Sequence, residues 1–198
     1  MKILQIGCGG IGSFYCEELY QCILQEQIPF GTEISIADSD IAEYEQMKYQ
    51  NFSLKELGKN KAENLAKRFV IDNAKVFTSI AKRITSENQL KGFEIIIMCV
   101  DNEPTRKMVI KYCHGNGIEF LDLRATGRRL FAMPKAVTFE ENIKFVDCQD
   151  TIEYSCQEQK DREQGLIQKG NKIVALVGIQ MTLNLLRGHR NRILNVVI

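Results

Sequence analysis

The 198-residue sequence lacks closely spaced zinc ligands and long apolar runs, and it has almost no net charge. Each of these absences excludes a class of protein. The chain has no C-x-x-C pair and only two histidines, His114 and His189, so closely spaced ligands for a structural zinc site are missing. No apolar run approaches the roughly 20 residues that a membrane-spanning helix needs. The formal net charge is only +1, so no overall basic field predicts binding to nucleic acid or to an anionic membrane surface.

The seven cysteines are scattered along the chain, at positions 8, 16, 22, 99, 113, 148 and 156. Such a set of thiols is typical of a reduced, cytoplasmic protein, and that is the location we expect. An apolar strand pattern begins at residue 3, so we also expect no signal peptide. A chain of this length can bury one good core, and we expect a single domain over residues 1–198.

The first motif is a glycine-rich loop, Gly7-Cys8-Gly9-Gly10-Ile11-Gly12, between a short apolar strand and an amphipathic helix. Glycine lets the backbone turn tightly and approach a phosphate group. The first amides of the following helix and the helix dipole favour the negative charge of that phosphate. The loop therefore predicts a nucleotide site with Gly7, Gly9, Gly10 and Gly12 as binding residues. By itself it fits a redox dinucleotide as well as a nucleotide that is cleaved.

Strand and helix patterns alternate along the first two thirds of the chain. Residues 93–100 contain the run Ile-Ile-Ile-Met, which is typical of a central strand covered on both faces. The alternation predicts an α/β fold with a Rossmann-like, doubly wound, mostly parallel sheet and right-handed crossovers.

After Gly127 the pattern changes, and short apolar segments predict an antiparallel C-terminal extension of the sheet. We expect three strands in it, at residues 130–132, 136–139 and 143–146. The polar stretch 149–170 predicts a solvated loop or crossover, and residues 172–187 have the apolar spacing of a helix. The apolar segment 193–198 predicts a last strand, either at an interface or at the edge of the sheet.

Several charged residues follow predicted strands or begin a predicted helix. Asp38 and Asp40 follow the second strand, Asp101 and Asn102 follow the buried central strand, and Lys61 lies at the start of a helix. In open α/β sheets, ligands bind beyond the carboxyl ends of the strands, so these residues should converge with the glycine loop on one crevice. A carboxylate there suits magnesium beside a triphosphate, and a lysine there neutralises phosphate charge. Nicotinamide chemistry needs neither.

In this order and spacing, the motifs resemble those of the superfamily of ThiF, MoeB and the ubiquitin-activating enzymes. The resemblance covers nearly the whole chain. Besides the glycine loop, it is carried by Asp38 and Asp40, Gly58 and Lys61, Asp101-Asn102 followed by Arg106, Gly117-Ile118, Gly127 and Ser155-Cys156.

The resemblance implies an enzyme that binds ATP and magnesium and adenylates the C-terminal carboxylate of a ubiquitin-like or sulfur-carrier-like β-grasp protein. It assigns Asp38 to the ribose, Lys61 and Gln50 to the phosphates, and Asp101 to the metal, with Asp40 and Asn102 also in the nucleotide site. In some members the acyl group passes to a cysteine, and Cys156 matches that position. Relatives pair through the sheet domain, so the resemblance also implies a homodimer.

The sequence departs from the family pattern at three places. Tyr49 stands where the family's Asn-x-x-Arg-Gln segment has its arginine, and a tyrosine supplies no guanidinium charge. The chain also begins at the first strand, without the helix that donates an arginine in many relatives, and it lacks the zinc-binding cysteine pairs. Arg124, Arg128 or Arg129 could compensate for the missing charge, although each is more simply interpreted as an exposed surface residue. Two alternatives therefore stay open: a non-catalytic module that binds a nucleotide or a partner, and an NAD-dependent oxidoreductase on the same fold.

Overall fold

The structure is a computed structural model that describes residues 1–147, 161 and 163–198. Nine strands lie in the described residues: β1 Lys2–Ile6, β2 Glu33–Ala37, β3 Val70–Ile71, β4 Ala74–Lys75, β5 Phe77–Ile80, β6 Ile95–Met98, β7 Glu119–Thr126, β8 Arg129–Pro134 and β9 Leu194–Val197. The longer helices are α1 Gly10–Leu24, α2 Lys61–Arg68, α3 Glu103–Asn116, α4 Phe139–Asp147 and α5 Gly170–Leu186. Short 3-10 helices cover Tyr44–Lys48, Leu54–Glu56 and Glu87–Leu90.

Seven of the strands form one sheet in the order β5-β2-β1-β6-β7-β8-β9, and β3 pairs with β4 in a separate hairpin. The first five of these strands run parallel, whereas β8 and β9 are antiparallel to their neighbours. The predicted Rossmann-like, mostly parallel sheet with an antiparallel C-terminal extension is confirmed. Because the chain order reverses at β1, with β2 on one side and β6 on the other, a crevice forms beyond the carboxyl ends of these strands.

Helices cover both faces of the sheet, as the all-apolar strand β6 requires. One core lies between the sheet and helices α1, α2 and α5, and the other lies under α3 and α4. The buried hydroxyls of Tyr15 in α1 and Thr182 in α5 are hydrogen-bonded at 2.6 Å, which fixes these two helices side by side. Among the described residues, no helix is long and apolar enough to cross a membrane.

Residues 139–147 are helical, so the prediction of strands at 136–139 and 143–146 was wrong. Thr138 and Glu141 form the reciprocal bonds of a capping box at the start of α4: the Glu141 amide donates to Thr138 Oγ1, and the Thr138 amide donates to the Glu141 carboxylate. The buried Asn142 side chain then ties the helix to the end of β8 by donating to the Pro134 carbonyl and accepting from the Ala136 amide. The T-x-x-E spacing was the sequence signal for a helix start, and two short apolar runs masked it.

The other apolar segments of the C-terminal part are strands, as predicted. Residues 130–132 lie within β8, and β9 pairs with β8 at the edge of the sheet. The helix predicted to start at Lys61 is present as α2. Gly58 takes a left-handed conformation with φ of 72°, and Asn60 caps α2 by accepting from the Glu63 amide, so the helix begins only at Lys61.

Candidate nucleotide-binding site

A cavity of about 290 Å³ opens at the carboxyl ends of the parallel strands. It brings together most of the residues predicted for the nucleotide site, although they lie far apart in the sequence. Those that line it are Gly7, Gly9, Gly10, Asp38, Asp40, Gln50, Lys61, Asp101 and Asn102. Gly12 is not among the lining residues, and Cys156 lies outside the residues that the structure describes.

The glycine loop is held in place from below by Gln5, a fully buried side chain in β1. Its amide nitrogen donates to the carbonyls of Gly7 at 2.8 Å and Gly12 at 3.0 Å, while its oxygen accepts from the Cys16 thiol. Gly7 has a φ of 94°, and a Cβ there would lie 2.6 Å from the Cys99 carbonyl oxygen. A Cβ on Gly12 would lie 2.0 Å from the Gly7 oxygen. Gly12 therefore allows α1 to pack against the loop.

The other two glycines of the loop face the cavity at the N-terminus of α1. Gly9 is the N-cap of this 15-residue helix and Gly10 is its first residue. The first amides of a helix have no partner within it, and the helix dipole adds positive potential there. A Cβ on Gly9 would meet only the Gln50 amide nitrogen, at 3.8 Å, so the Gln50 side chain lies over the loop. Gln50 is buried, and its Oε1 has no hydrogen-bond partner among the described residues.

The Asp38 carboxylate is fixed between the loop and the end of β2. One oxygen accepts from the Cys8 amide at 2.6 Å, and the other accepts from the Asp40 amide at 2.8 Å. Burial raises the pKa of Asp38 above its usual value, and these two backbone hydrogen bonds oppose that shift. The carboxylate is thus a rigid acceptor beside the glycine loop, in the position from which a ribose hydroxyl can be bound.

Lys61 brings a buried positive charge to the same end of the cavity. Only 3% of the residue is exposed, and its ammonium lies 3.9 Å from the carboxylate of Asp40, whose own side chain is mostly in solvent. The contact is at the limit of an ion pair, so Asp40 compensates the buried charge only in part. We call the glycine loop, Asp38, Asp40, Gln50 and Lys61 the loop wall of the cavity.

Asp101 and Asn102 lie in the turn between β6 and α3. The Asp101 side chain is exposed to the cavity and the solvent. Asn102 caps α3, because its side-chain oxygen accepts from the Thr105 amide at 3.0 Å. That oxygen is therefore already bonded to the helix, and the Asp101 carboxylate is the anionic group of the turn.

The opposite wall is built from Arg106, Asp122 and Arg124, which we call the arginine wall. Asp122 is fully buried in β7, and one of its oxygens accepts from Arg106 Nε at 3.1 Å while the other accepts from Arg124 Nε at 2.8 Å. Arg124 Nη2 also donates to Asp122, and Arg106 Nη2 donates to the Val100 carbonyl. Both arginines line the cavity.

Arg124 is only 2% exposed, so its interpretation as a surface residue was wrong, whereas Arg128 and Arg129 are exposed as expected. Its guanidinium carbon lies 5.1 Å from the centre of the Phe131 ring, which packs against it. A signal was present in the sequence: Asp122 and Arg124 alternate with Leu121 and Leu123 in a strand, and that spacing places two charges together on one buried face.

The other residues that line the cavity include Tyr49, Lys82 and Arg83. Tyr49, at the position of the family's arginine, lies beside Gln50, and its carbonyl accepts from the Asn171 side chain at 3.4 Å. Lys82 and Arg83 follow β5 and bring two exposed positive charges to the cavity mouth. The sequence around Lys82 and Arg83 is polar, and no motif in it marks these two residues as part of the site.

The described cysteines near the cavity and His114 do not add a nucleophile to the site. Burial raises the pKa of the Cys8 and Cys99 thiols, so neither is a thiolate near neutral pH. The His114 ring binds Asn142 Oδ1 at 2.8 Å between α3 and α4, which is a structural contact.

Comparison with known proteins agrees with this fold. Escherichia coli MccB, solved with ATP, has 18% sequence identity and a TM-score of 0.67, and the match covers 99% of this chain and 62% of MccB. E. coli tRNA N6-threonylcarbamoyladenosine dehydratase, TcdA, has 16% identity and a TM-score of 0.67, over 94% of this chain and 86% of TcdA. PaaA has 15% identity and a TM-score of 0.68, over 100% of this chain and 64% of PaaA.

The chain thus spans less than two thirds of the length of MccB, and at these identities the likeness is one of fold. No curated protein sequence matches it significantly. The family assignment comes instead from the sequence match to the ThiF family, which extends over residues 1–197. With that match and this fold, the chain belongs to the ThiF family.

Proposed function

We propose that the protein is an ATP-dependent adenylyltransferase that activates the C-terminal carboxylate of a ubiquitin-like or sulfur-carrier-like β-grasp protein. The observation that carries this proposal is the lining of one cavity by the glycine loop, the buried ammonium of Lys61 and the carboxylate of Asp101. A carboxylate oxygen of the partner attacks the α-phosphorus of ATP, an acyl-adenylate forms, and pyrophosphate leaves. A nicotinamide dinucleotide would leave Lys61 and Asp101 without a role.

Five residues of the loop wall have distinct parts in this reaction. The amides of Gly9 and Gly10 and the Gln50 side chain hold phosphate oxygens, and the fixed carboxylate of Asp38 accepts hydrogen bonds from the ribose. Lys61 neutralises the charge that develops on the phosphates as the leaving group departs. Because these groups are already oriented, little reorganisation is needed at the transition state.

The donor set at Asp101 fits magnesium carried by a nucleotide. Among the described residues, no group of three or more His, Cys, Asp or Glu side chains could hold a metal ion alone. Magnesium characteristically takes one or two carboxylates and completes its coordination with phosphate oxygens and water, so one exposed carboxylate beside a phosphate site is sufficient. When bound, the ion would neutralise negative charge on the phosphates.

Further parts of the proposal rest on family membership. They are the transfer of the acyl group to Cys156, assembly as a homodimer and a cytoplasmic location. Thioester formation would be seen as a covalent adduct of the partner that is lost in Cys156→Ser, and analytical ultracentrifugation would give the oligomeric state.

Pyrophosphate exchange into ATP, in the presence of candidate β-grasp proteins, tests the adenylation step. We expect exchange with one of them and a loss of at least tenfold in ATP affinity in Lys61→Gln, because a charged contact to phosphate is removed. Lys59→Gln is the matched control, since Lys59 is two residues away and exposed. The proposal fails if no partner supports exchange and Lys61→Gln binds ATP as tightly as the wild type.

A second candidate function is the binding of nucleotide or partner without adenylation, and Tyr49 favours it. This side chain lines the cavity where the family has a cationic one, so the phosphates meet less positive charge there. Binding of ATP without release of pyrophosphate in the presence of a bound partner would identify this function, and turnover would exclude it.

A further inference from the structure

We propose that β7 binds the C-terminal tail of the protein substrate as an added antiparallel strand, along the part of its edge that continues past the end of β6. This inference rests on the proposed adenylation and specifies how the tail of the partner is held. Three observations lead to it: the unpaired backbone of this edge, its position beside the nucleotide cavity, and the unpartnered hydroxyl of Thr126.

The strand β7 continues beyond its pairing with β6. The last register pair of these two strands joins Met98 to Asp122, whereas the pairing of β7 with β8 continues to Thr126. Thr126 closes a two-residue turn as a hydrogen-bonded pair with the first residue of β8. Because backbone groups alternate in direction along a strand, those of Leu123 and Ala125 point away from β8, to the side on which β6 has ended. We call this side of residues 123–126 the open edge.

Three backbone groups of the open edge have no partner. The bridge between Met98 and Asp122 uses the Leu123 amide, which leaves the Leu123 carbonyl and both backbone groups of Ala125. These three groups make no hydrogen bond within the described part of the chain. Leu123 is fully buried and Ala125 is 5% exposed, and buried backbone groups are nearly always paired. One donor and two acceptors in a row fit another extended backbone, as in strand addition.

The open edge borders the nucleotide cavity, because Arg124 and Ala125 line it. Since β1 and β7 both pair with β6, they lie about 9.6 Å apart, and the glycine loop follows β1. A chain added to β7 would lie about 4.8 Å from it, between β7 and the glycine loop. The carboxyl end of β7 is at the rim of the cavity. A tail that enters from solvent with its carboxylate innermost therefore runs antiparallel to β7, and this direction brings the carboxylate to a nucleotide held by the loop.

The Thr126 side chain is an independent sign of a ligand at the same place. Thr126 is 9% exposed, and its Oγ1 has no hydrogen-bond partner among the described residues. It lies on the same face of β7 as Arg124 and nearer the rim. A hydroxyl buried without a partner is costly, and an amide or carbonyl of a chain bound along the open edge is a partner of the kind it needs.

Ala125→Pro tests strand addition, because it removes the amide of the open edge and keeps the ladder with β8. With a β-grasp partner that supports pyrophosphate exchange, we expect KM for the partner to rise tenfold or more and the calorimetric Kd for ATP to stay unchanged. Asn195→Pro is the matched control. In β9 the Val196 and Ile198 amides face β8, so the Asn195 amide points outward at the far edge of the sheet, and both constants should equal those of the wild type.

A proline scan of the last four residues of the partner gives a readout that a change in the stability of this chain would not produce. Only alternate amides of an added strand point to β7, so proline should raise KM at alternate positions and be tolerated at the positions between them. Thr126→Val, which removes the hydroxyl at nearly constant volume, should raise the same KM by about three- to tenfold.

The inference alone is overturned if the partner supports exchange and Ala125→Pro keeps the wild-type KM for it, or if the proline scan shows no alternation. If Ala125→Pro loses ATP binding as well, the variant is misfolded and the scan, which leaves this chain unchanged, decides. If no β-grasp partner supports exchange with the wild-type protein, the proposed function fails and the inference fails with it.

Discussion

The two walls of the cavity place their charges in different ways. On the loop wall, Asp38 and Lys61 stand where a strand ends or a helix begins, and the carboxylate that pairs with Lys61 is 58% exposed. On the arginine wall, Asp122 and Arg124 lie within a strand and are almost completely buried. Charges at the ends of elements have the cavity and the solvent within reach, whereas charges inside a strand are tied to the stability of the sheet.

The largest expected difference between the walls is in stability. Asp122→Ala leaves two buried guanidinium groups without their carboxylate, so we expect the free energy of unfolding to fall by about 3–5 kcal/mol. Asp40→Ala removes a solvent-exposed partner at 3.9 Å, and its effect should stay below about 1 kcal/mol. Urea unfolding followed by circular dichroism measures both. Similar losses in the two variants would contradict the structural distinction between the walls.

Two glycines of the loop also differ in this way: Gly12 is needed for packing, whereas Gly9 lines the cavity. In Gly12→Ala the new Cβ would press against the Gly7 carbonyl, and overpacking of this kind costs about 1–3 kcal/mol of stability. In Gly9→Ala the new methyl group meets only the Gln50 side chain at a normal contact distance, at a position that lines the cavity. We expect Gly9→Ala to unfold like the wild type and to bind AMP more weakly. The pair is measured by urea unfolding and calorimetry, and a reversed pattern would show that Gly12, not Gly9, borders the phosphate.

The sequence predicted the loop wall well because its residues follow local rules. Strand ends, helix starts and glycine spacing are visible within a few neighbouring residues, and they located Asp38 and Lys61 in this wall and Asp101 in the turn after β6. The arginine wall depends on a contact between Arg106 and Asp122 across 16 residues and two elements, which no local pattern specifies. Arg124 was misinterpreted for the same reason, since its burial is decided by β8 and Phe131 packing over it.

The fold, like the site, was predicted where local patterns specify it and was missed where contacts between distant residues do. The alternation of strand and helix patterns predicted the parallel sheet, because each βα unit is a local pattern with a fixed handedness of crossover. The helix α4 was missed, since its two short apolar runs resemble strands and its start is set by one capping box. In such short segments the sequence pattern fits a strand about as well as a helix. The contacts of the buried Asn142 with the end of β8 are tertiary contacts, so no local pattern predicts them.

The smallest expected effect concerns the protonation of Asp38 on the loop wall. Burial raises its pKa, so the folded protein binds a proton there at a higher pH than the unfolded chain, whose Asp groups titrate near pH 3.9. This group therefore favours folding at low pH, and its contribution falls as the pH rises through the folded pKa. Ligand binding has the opposite dependence, because the ionised carboxylate is the stronger acceptor for ribose hydroxyls. We expect adenosine affinity to weaken by about three- to tenfold as the pH falls from neutral through that pKa, whereas Asp38→Asn binds weakly at every pH. Calorimetric titrations across this range measure the effect, and equal pH dependence in wild type and Asp38→Asn would remove Asp38 from the ribose site.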